Sequence, residues 1–151
     1  MKTKPVLAQQ WRGSTNVMFD LHLNQESNCK VAFSPEKLDR MIRKAIKKVG
    51  MIRRKGVLDV WESKHSGPAT SFHSLQESHV RVETWPKECH VQGEVQLCNF
   101  SRDNSAAARR LADLIIENLK PATTQRLVIT RGPGTVLSFQ ESTENHKTGT
   151  R

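Results

Sequence analysis

Residues 75–98 read LQESHVRVETWPKECHVQGEVQLC, and this stretch limits the folds open to the chain more than any other. After Ser78 the residues alternate strictly, with Val80 and Val82 on one side and His79, Arg81, Glu83 and Trp85 on the other. A period of two is the mark of a strand with one buried face. Pro86 ends the run, because it has no N–H to give a ladder and keeps the residue before it extended. A second run repeats the pattern, with Val91, Val95 and Leu97 opposed to Gln92, Glu94, Gln96 and Cys98. The stretch predicts two neighbouring strands, with Glu83, Trp85 and Cys98 sharing the face turned away from the core. A serine hydroxyl, a carboxylate, a thiol and an indole around one sheet face call for a chemical explanation.

Two other segments carry a helical period. Ser34-Pro35-Glu36 combines a hydroxyl cap, a proline at the first helical position and an acid near the positive end of the helix dipole. Leu38, Met41, Ile42, Ala45, Ile46 and Val49 then recur at three and four residues, and Gly50 marks the stop. Asp103, Asn104 and Ser105 offer caps for a second helix, Ala106 to Ala108 favour it, and Leu111, Leu114, Ile115 and Leu119 supply its stripe before Pro121. Further strands are expected over 16–23, 51–62 and 125–130, while 68–75 reads as a short, irregular extended segment. The order predicts an α+β fold: a two-layer sandwich of a mainly antiparallel sheet with two helices on one face. Its domain is expected over 16–136, between a mobile arm at 1–15 and a disordered tail at 137–151. The second sheet face is only partly polar, so a second copy of the chain is expected against it, giving a homodimer with four αββα layers.

Composition narrows the partners. No run approaches the roughly 20 apolar residues that span a bilayer, and the first residues lack an apolar stretch of signal-peptide length. Cys29, Cys89 and Cys98 form no disulfide framework, which fits reduced thiols in a cytoplasmic protein. Cys89, His90 and Cys98 match no zinc spacing and show no fourth ligand, so no metal is expected. The formal net charge is +9, and much of it falls on Arg40, Arg43, Lys44, Lys47, Lys48, Arg53, Arg54 and Lys55. With no Tyr and no recognisable nucleic-acid module, this reads as a solvated helix face with its following turn, and nucleic acid is not expected as a partner.

At Glu77-Ser78-His79, Thr84-Trp85-Pro86 and Cys98 the chain resembles the bacterial and archaeal type of S-adenosylmethionine decarboxylase. That family has a Glu-Ser-His junction, a His-Thr-Trp-Pro-Glu run soon after, and a cysteine twenty residues beyond the junction serine, the spacing of Ser78 and Cys98 here. The likeness runs more weakly from about Asn16 to Gly132. It implies a proenzyme that cuts itself between Glu77 and Ser78. The Ser78 hydroxyl attacks the Glu77 carbonyl, the ester eliminates, and Ser78 becomes a covalent pyruvoyl group. That ketone forms a Schiff base with the substrate amine and acts as electron sink while carbon dioxide leaves. The product would supply the aminopropyl donor of spermidine synthesis. The resemblance also implies two processed protomers with active sites where their sheets meet.

Residue by residue, the likeness gives Cys98 the proton delivered after decarboxylation, and places Thr70 at the family's upstream hydroxyl position. It assigns substrate contacts to Trp85 and His79. The departures fall on functional positions. Glu83 stands where the family has its processing histidine, so a carboxylate must take that proton, with Arg81 close by. Lys64 falls near the aromatic residue that stacks on adenine, and Lys87 replaces the glutamate after Trp-Pro. An ammonium in place of an aromatic platform and of a carboxylate disfavours a sulfonium nucleoside. Decarboxylation of S-adenosylmethionine is the leading expectation. Two alternatives stay open: a pyruvoyl decarboxylase of the same fold acting on ornithine or arginine, and an inactive homologue serving as partner or regulator.

Overall fold

The computed structural model describes residues 12–24, 34–62, 67–132 and 138–146. In chain order these form β1 (Ser14–His22), α1 (Pro35–Lys48), β2 (Arg53–Val60), β3 (Ala69–Leu75) and β4 (Ser78–Trp85). After them come β5 (His90–Cys98), α2 (Ser105–Leu119), β6 (Thr123–Arg131) and β7 (Ser138–Asn145). The strands make one antiparallel sheet in the order β2-β3-β4-β5-β1-β6-β7. Helix α1 packs on β2 and β3, α2 packs on β5 and β1, and the helices touch each other. No helix among the described residues is long and apolar enough to cross a membrane.

The alternation read from sequence sets the faces. Val17, Leu21, Val80, Val82, Val91, Val95 and Leu97 are fully buried beneath Leu38, Ile42, Leu111, Ile115 and Leu119 of the helices. Removing one of these leucines, as in Leu111→Ala, would cost about 2–5 kcal/mol. Gly93 leaves room for the Phe19 ring, which a Cβ there would meet at 1.9 Å. The opposite face carries Phe72, His79, Arg81, Glu83, Glu94, Cys98 and Met18 and is left open by the helices.

Several boundaries differ from expectation. Strand β1 begins at Ser14, two residues earlier than the alternation implied, because polar Ser14 and Thr15 are buried by pairing and by a Thr15 hydroxyl bond to Ser105 at 3.0 Å. Residues 1–11 of the expected arm lie outside the described residues. The segment expected to be irregular is the regular strand β3, paired on both sides. Its helix-facing positions are Ala69, Ser71, His73 and Leu75, so half of the buried stripe is polar and the period is invisible in hydropathy. The expected disordered tail is corrected by β7, whose ladder to β6 runs from Ser138 to Asn145. Every residue of β7 is exposed, so backbone bonding rather than burial forms it, and no apolar pattern announces it.

Under β3 the buried polar groups satisfy one another. Arg53 Nε donates to His73 Nδ1 at 2.8 Å, which puts the neutral ring's proton on Nε2. Nε2 lies 3.2 Å from Asp39 Oδ1 and 3.1 Å from Ser71 Oγ, and Ser71 also bonds Asp39 at 3.0 Å. Arg43 closes the set on Asp39 Oδ2 at 2.7 Å. This network fastens α1 to the strand that leads into Glu77-Ser78. Burial holds the His73 pKa below its ordinary 6.5; Asp39 opposes the shift, and Arg53 and Arg43 add to it.

A histidine with a depressed folded pKa contributes stability that is present above the unfolded value and lost as pH falls toward the folded one. Stability against unfolding should therefore fall below about pH 6.5, by up to about 1.4 kcal/mol per pH unit. His73→Gln should flatten that part of the profile. Parallel slopes for wild type and variant in pH-dependent denaturant melts would exclude His73 as the cause.

Candidate active site

The connection between β3 and β4 is two residues long, Gln76 and Glu77. Two-residue hairpins ordinarily place positive φ inside the turn. Here neither Gln76 nor Glu77 has it; the positive φ, 114°, falls on Ser78, where the strand resumes. That is the arrangement of loops that close on a left-handed residue, a position usually given to glycine. A serine held there costs on the order of 1–3 kcal/mol in backbone strain.

Ser78 lies opposite Leu75 on one side and Leu97 on the other. The neighbouring Cys98 N–H donates to the Glu77 carbonyl oxygen at 3.1 Å. The carbonyl of the Glu77–Ser78 peptide is thus bound by the residue twenty positions downstream. Cys98 is a half-buried free thiol, and the alternation from fully buried Leu97 puts it on the open face. The Glu77 side chain is itself buried and fully bonded. Asn104 Nδ2 and Ser101 Oγ donate to its two oxygens, and the Ser101 N–H joins at 3.2 Å. The same Asn104 Nδ2 donates to the Cys98 carbonyl at 2.8 Å.

Asn104 occupies the N-cap of α2 but spends its side chain on Glu77 and Cys98, making no cap bond. Asp103 replaces it, accepting the Ser105 N–H at 2.9 Å, and that bond draws the exposed Asp103 carboxyl below its usual pKa. Sequence reasoning read Asn104 as a cap and passed over Ser101. The signal missed was redundancy: three consecutive cap-competent residues leave one free for other work.

The other expected site residues divide into two groups. His79 borders Ser78 on the open face and stacks on Phe72 at 5.7 Å. Thr70 and Glu83 face each other across β3 and β4. Glu83 is five positions from Ser78, about 17 Å at about 3.3 Å per residue. Trp85 is farther still, edge-on to Trp61 at 6.2 Å and tilted against His90 at 5.8 Å. Within one protomer, then, Ser78 and Cys98 sit together, while Thr70, Glu83 and Trp85 gather toward the other end of the strands. Lys87 is exposed in the turn after β4, and Lys64 lies outside the described residues.

Between these groups runs an ionic network that the sequence did not single out. Glu94 lies 3.5 Å from Arg81, 3.9 Å from His79 and 2.7 Å from Asn16 Nδ2, and Arg81 reaches Glu83 at 3.6 Å. Asn16 is buried, and its Oδ1 has no partner. A hollow of about 420 Å³ opens beside it on this face, lined by Met18, Asp20, Arg81, Gln92, Gln125 and Glu141 among others. Among the described residues no group of three or more His, Cys, Asp or Glu is placed to hold a metal ion.

Comparison with known proteins agrees with this architecture. The family model described as S-adenosylmethionine decarboxylase matches residues 20–132. The S-adenosylmethionine decarboxylase proenzyme of Aeropyrum pernix is 27% identical over 123 residues, which covers 79% of this chain and 88% of that protein. The crystal structure of the adenosylmethionine decarboxylase from Aquifex aeolicus shares the fold, with a TM-score of 0.68 and 22% identity over 82% of this chain and 94% of that one. Strand β7 lies beyond the family match. With the match extending from β1 through β6, the chain is a divergent member of the S-adenosylmethionine decarboxylase family of carboxy-lyases.

Proposed function

We propose that this chain is a self-cleaving S-adenosylmethionine decarboxylase proenzyme, cut between Glu77 and Ser78. The observation that carries this reading is the Cys98 N–H on the Glu77 carbonyl, next to a serine held at φ 114°. An amide carbonyl already accepting a fixed N–H is polarised for attack, and strain at Ser78 is relieved when the amide opens. The residues fit a serine-derived pyruvoyl group: the junction serine ends a turn, and the thiol-bearing residue adjoins it in the ladder. When formed, that group supplies the electron sink for loss of carbon dioxide from an α-amino acid.

The chain's own residues take the remaining tasks. Ser78 Oγ bonds to the Glu77 carbonyl carbon, the C–N bond breaks, and the hydroxyl proton passes to the freed nitrogen. Removal of the Ser78 α-proton then expels Glu77 as a carboxylate, and water releases ammonia from the dehydroalanine. Glu83 is the acceptor for the α-proton, with the Thr70 hydroxyl beside it. Because this pair lies about 17 Å along the strands from Ser78, it serves the Ser78 of a second copy whose open face packs on this one. Each site in such a homodimer combines Ser78, His79 and Cys98 of one protomer with the partner's Thr70, Glu83 and Trp85. Cys98 holds the proton that returns to the substrate carbon. Decarboxylated S-adenosylmethionine would then serve as the aminopropyl donor for spermidine.

One observation bears on the choice of substrate. Lys87 places an exposed ammonium in the turn after Trp85, where the family has a carboxylate. A pyruvoyl decarboxylase of another amino acid, such as ornithine or arginine, is the second reading; those side chains are also cationic, so the Lys87 ammonium disfavours the sulfonium without favouring them.

Purified protein should run as two fragments, the downstream one starting at residue 78 with a blocked terminus, and Ser78→Ala should stay intact near 17.1 kDa. A wild-type chain that stays intact after prolonged incubation would point to a non-catalytic homologue. Co-expression of differently tagged Ser78→Ala and Glu83→Gln chains tests the shared site. The Glu83→Gln chain should be cut when paired with Ser78→Ala and remain whole alone; equal behaviour in both settings rules out action across the dimer. Carbon dioxide release from S-adenosylmethionine should exceed that from ornithine or arginine by at least tenfold. The reverse order would transfer the assignment to the second reading.

A further inference from the structure

We infer that Asn104 and Ser101 are positioning residues for self-cleavage, holding Glu77 so that its carbonyl faces the Ser78 hydroxyl and the Cys98 amide together. This rests on the self-cleaving reading above and deepens it. In the first step the new Oγ–C bond puts negative charge on the Glu77 carbonyl oxygen, 3.1 Å from the Cys98 nitrogen. A single donor helps there only if its direction is fixed before the reaction begins. Backbone pairing alone fixes it poorly, because residue 77 belongs to a turn and not to a strand.

Asn104 supplies the missing constraint. One amide group binds the Glu77 carboxylate and the Cys98 carbonyl, so residues 77 and 98 are joined through a side chain as well as through the backbone. Asn104 is 1% exposed, and its other polar groups are occupied. Its Oδ1 accepts Arg102 Nε at 3.0 Å, and its N–H donates to Asn99 Oδ1 at 2.8 Å. A side chain so tied cannot drift, and neither can what it holds. Ser101 grips the second carboxylate oxygen through both hydroxyl and N–H. The carboxylate also lies at the positive end of α2, which stabilises its charge. An asparagine that leaves its cap unmade breaks a local rule, and such breaks concentrate at functional sites.

The experiment follows chains made by cell-free synthesis, using intact mass against time. Hydroxylamine is added to parallel samples: it attacks an ester at Glu77, leaving a hydroxamate there and a free amine on Ser78, and it spares the amide. Ser101→Ala should slow cleavage at least threefold and Asn104→Asp at least tenfold. The uncut chain of both should resist hydroxylamine, because the lost step is the acyl shift. Glu83→Gln should instead accumulate chain that hydroxylamine cuts, because its loss falls on the later elimination. Ser101 is exposed, so its variant should melt with the wild type and decides the matter alone if Asn104→Asp fails to fold. Wild-type cleavage rates in Ser101→Ala, or slow cleavage with hydroxylamine-sensitive chain, would overturn the assignment while leaving self-cleavage standing. A wild-type chain that never cuts would remove both.

Discussion

The bond from the Cys98 amide to the Glu77 carbonyl organises this molecule. It joins the last residue of β5 to the turn between β3 and β4, and its direction depends on three consecutive strands keeping register. That register has its own support on the helix side. Val80 and Val95 sit opposite each other in the buried layer, and the polar network of Arg53, His73, Ser71 and Asp39 fixes β3 against α1. The junction is therefore built by the core. A slip of one residue would turn Cys98 into the core and Leu97 out of it, so burial of Leu97 also specifies where the thiol lies.

Distance along the strands separates what one protomer does from what two can do. Ser78 with Cys98 and Thr70 with Glu83 stand at different ends of β4, with Cys98, Thr70 and Glu83 on the face that the helices leave open. A two-fold contact between two such faces, with its axis across the strands, would run β4 against its own copy in the reverse sense and bring unlike ends together. The same contact would bury the Glu94 network. Its members are already paired among themselves, which lowers what removing water from them costs. Asn16, a member of that network, has its Oδ1 buried without a partner.

The helices and the central strands were legible in the sequence because their buried positions are apolar. Leu38, Ile42 and Ile46 repeat with the helix, and Val80, Val82, Val95 and Leu97 with the strand. Where burial and polarity part company, reading fails. Strand β3 hides behind Ser71 and His73, whose burial depends on partners from α1 and β2 that lie far away in the sequence. Strand β7 buries nothing and exists through its ladder. At the candidate site, Ser78, Glu83 and Cys98 stood out by motif and spacing, and five positions along a strand already set Glu83 far from Ser78. Spacing could not show that Asn104 is turned from α2 toward Glu77, since a cap and a clamp have the same residue preference.

Self-cleavage asks something unusual of a fold: one backbone bond must be labile inside a structure that outlives it. On the self-cleaving reading, the position of the junction would meet both demands. Strain and polarisation converge on residues 77 and 78, yet the strands on either side keep all their ladder partners, β3 between β2 and β4, and β4 between β3 and β5. Opening a two-residue connection removes no strand from the sheet and exposes no apolar residue. On the self-cleaving reading, the new chain end at Glu77 would keep its side-chain bonds to Ser101 and Asn104 and so stay moored after the cut. The end at residue 78 would have no side-chain mooring of that kind, only its ladder neighbours Leu75 and Leu97. A glutamate held by its side chain and a serine held only by the ladder would give the two sides of one peptide bond different fates.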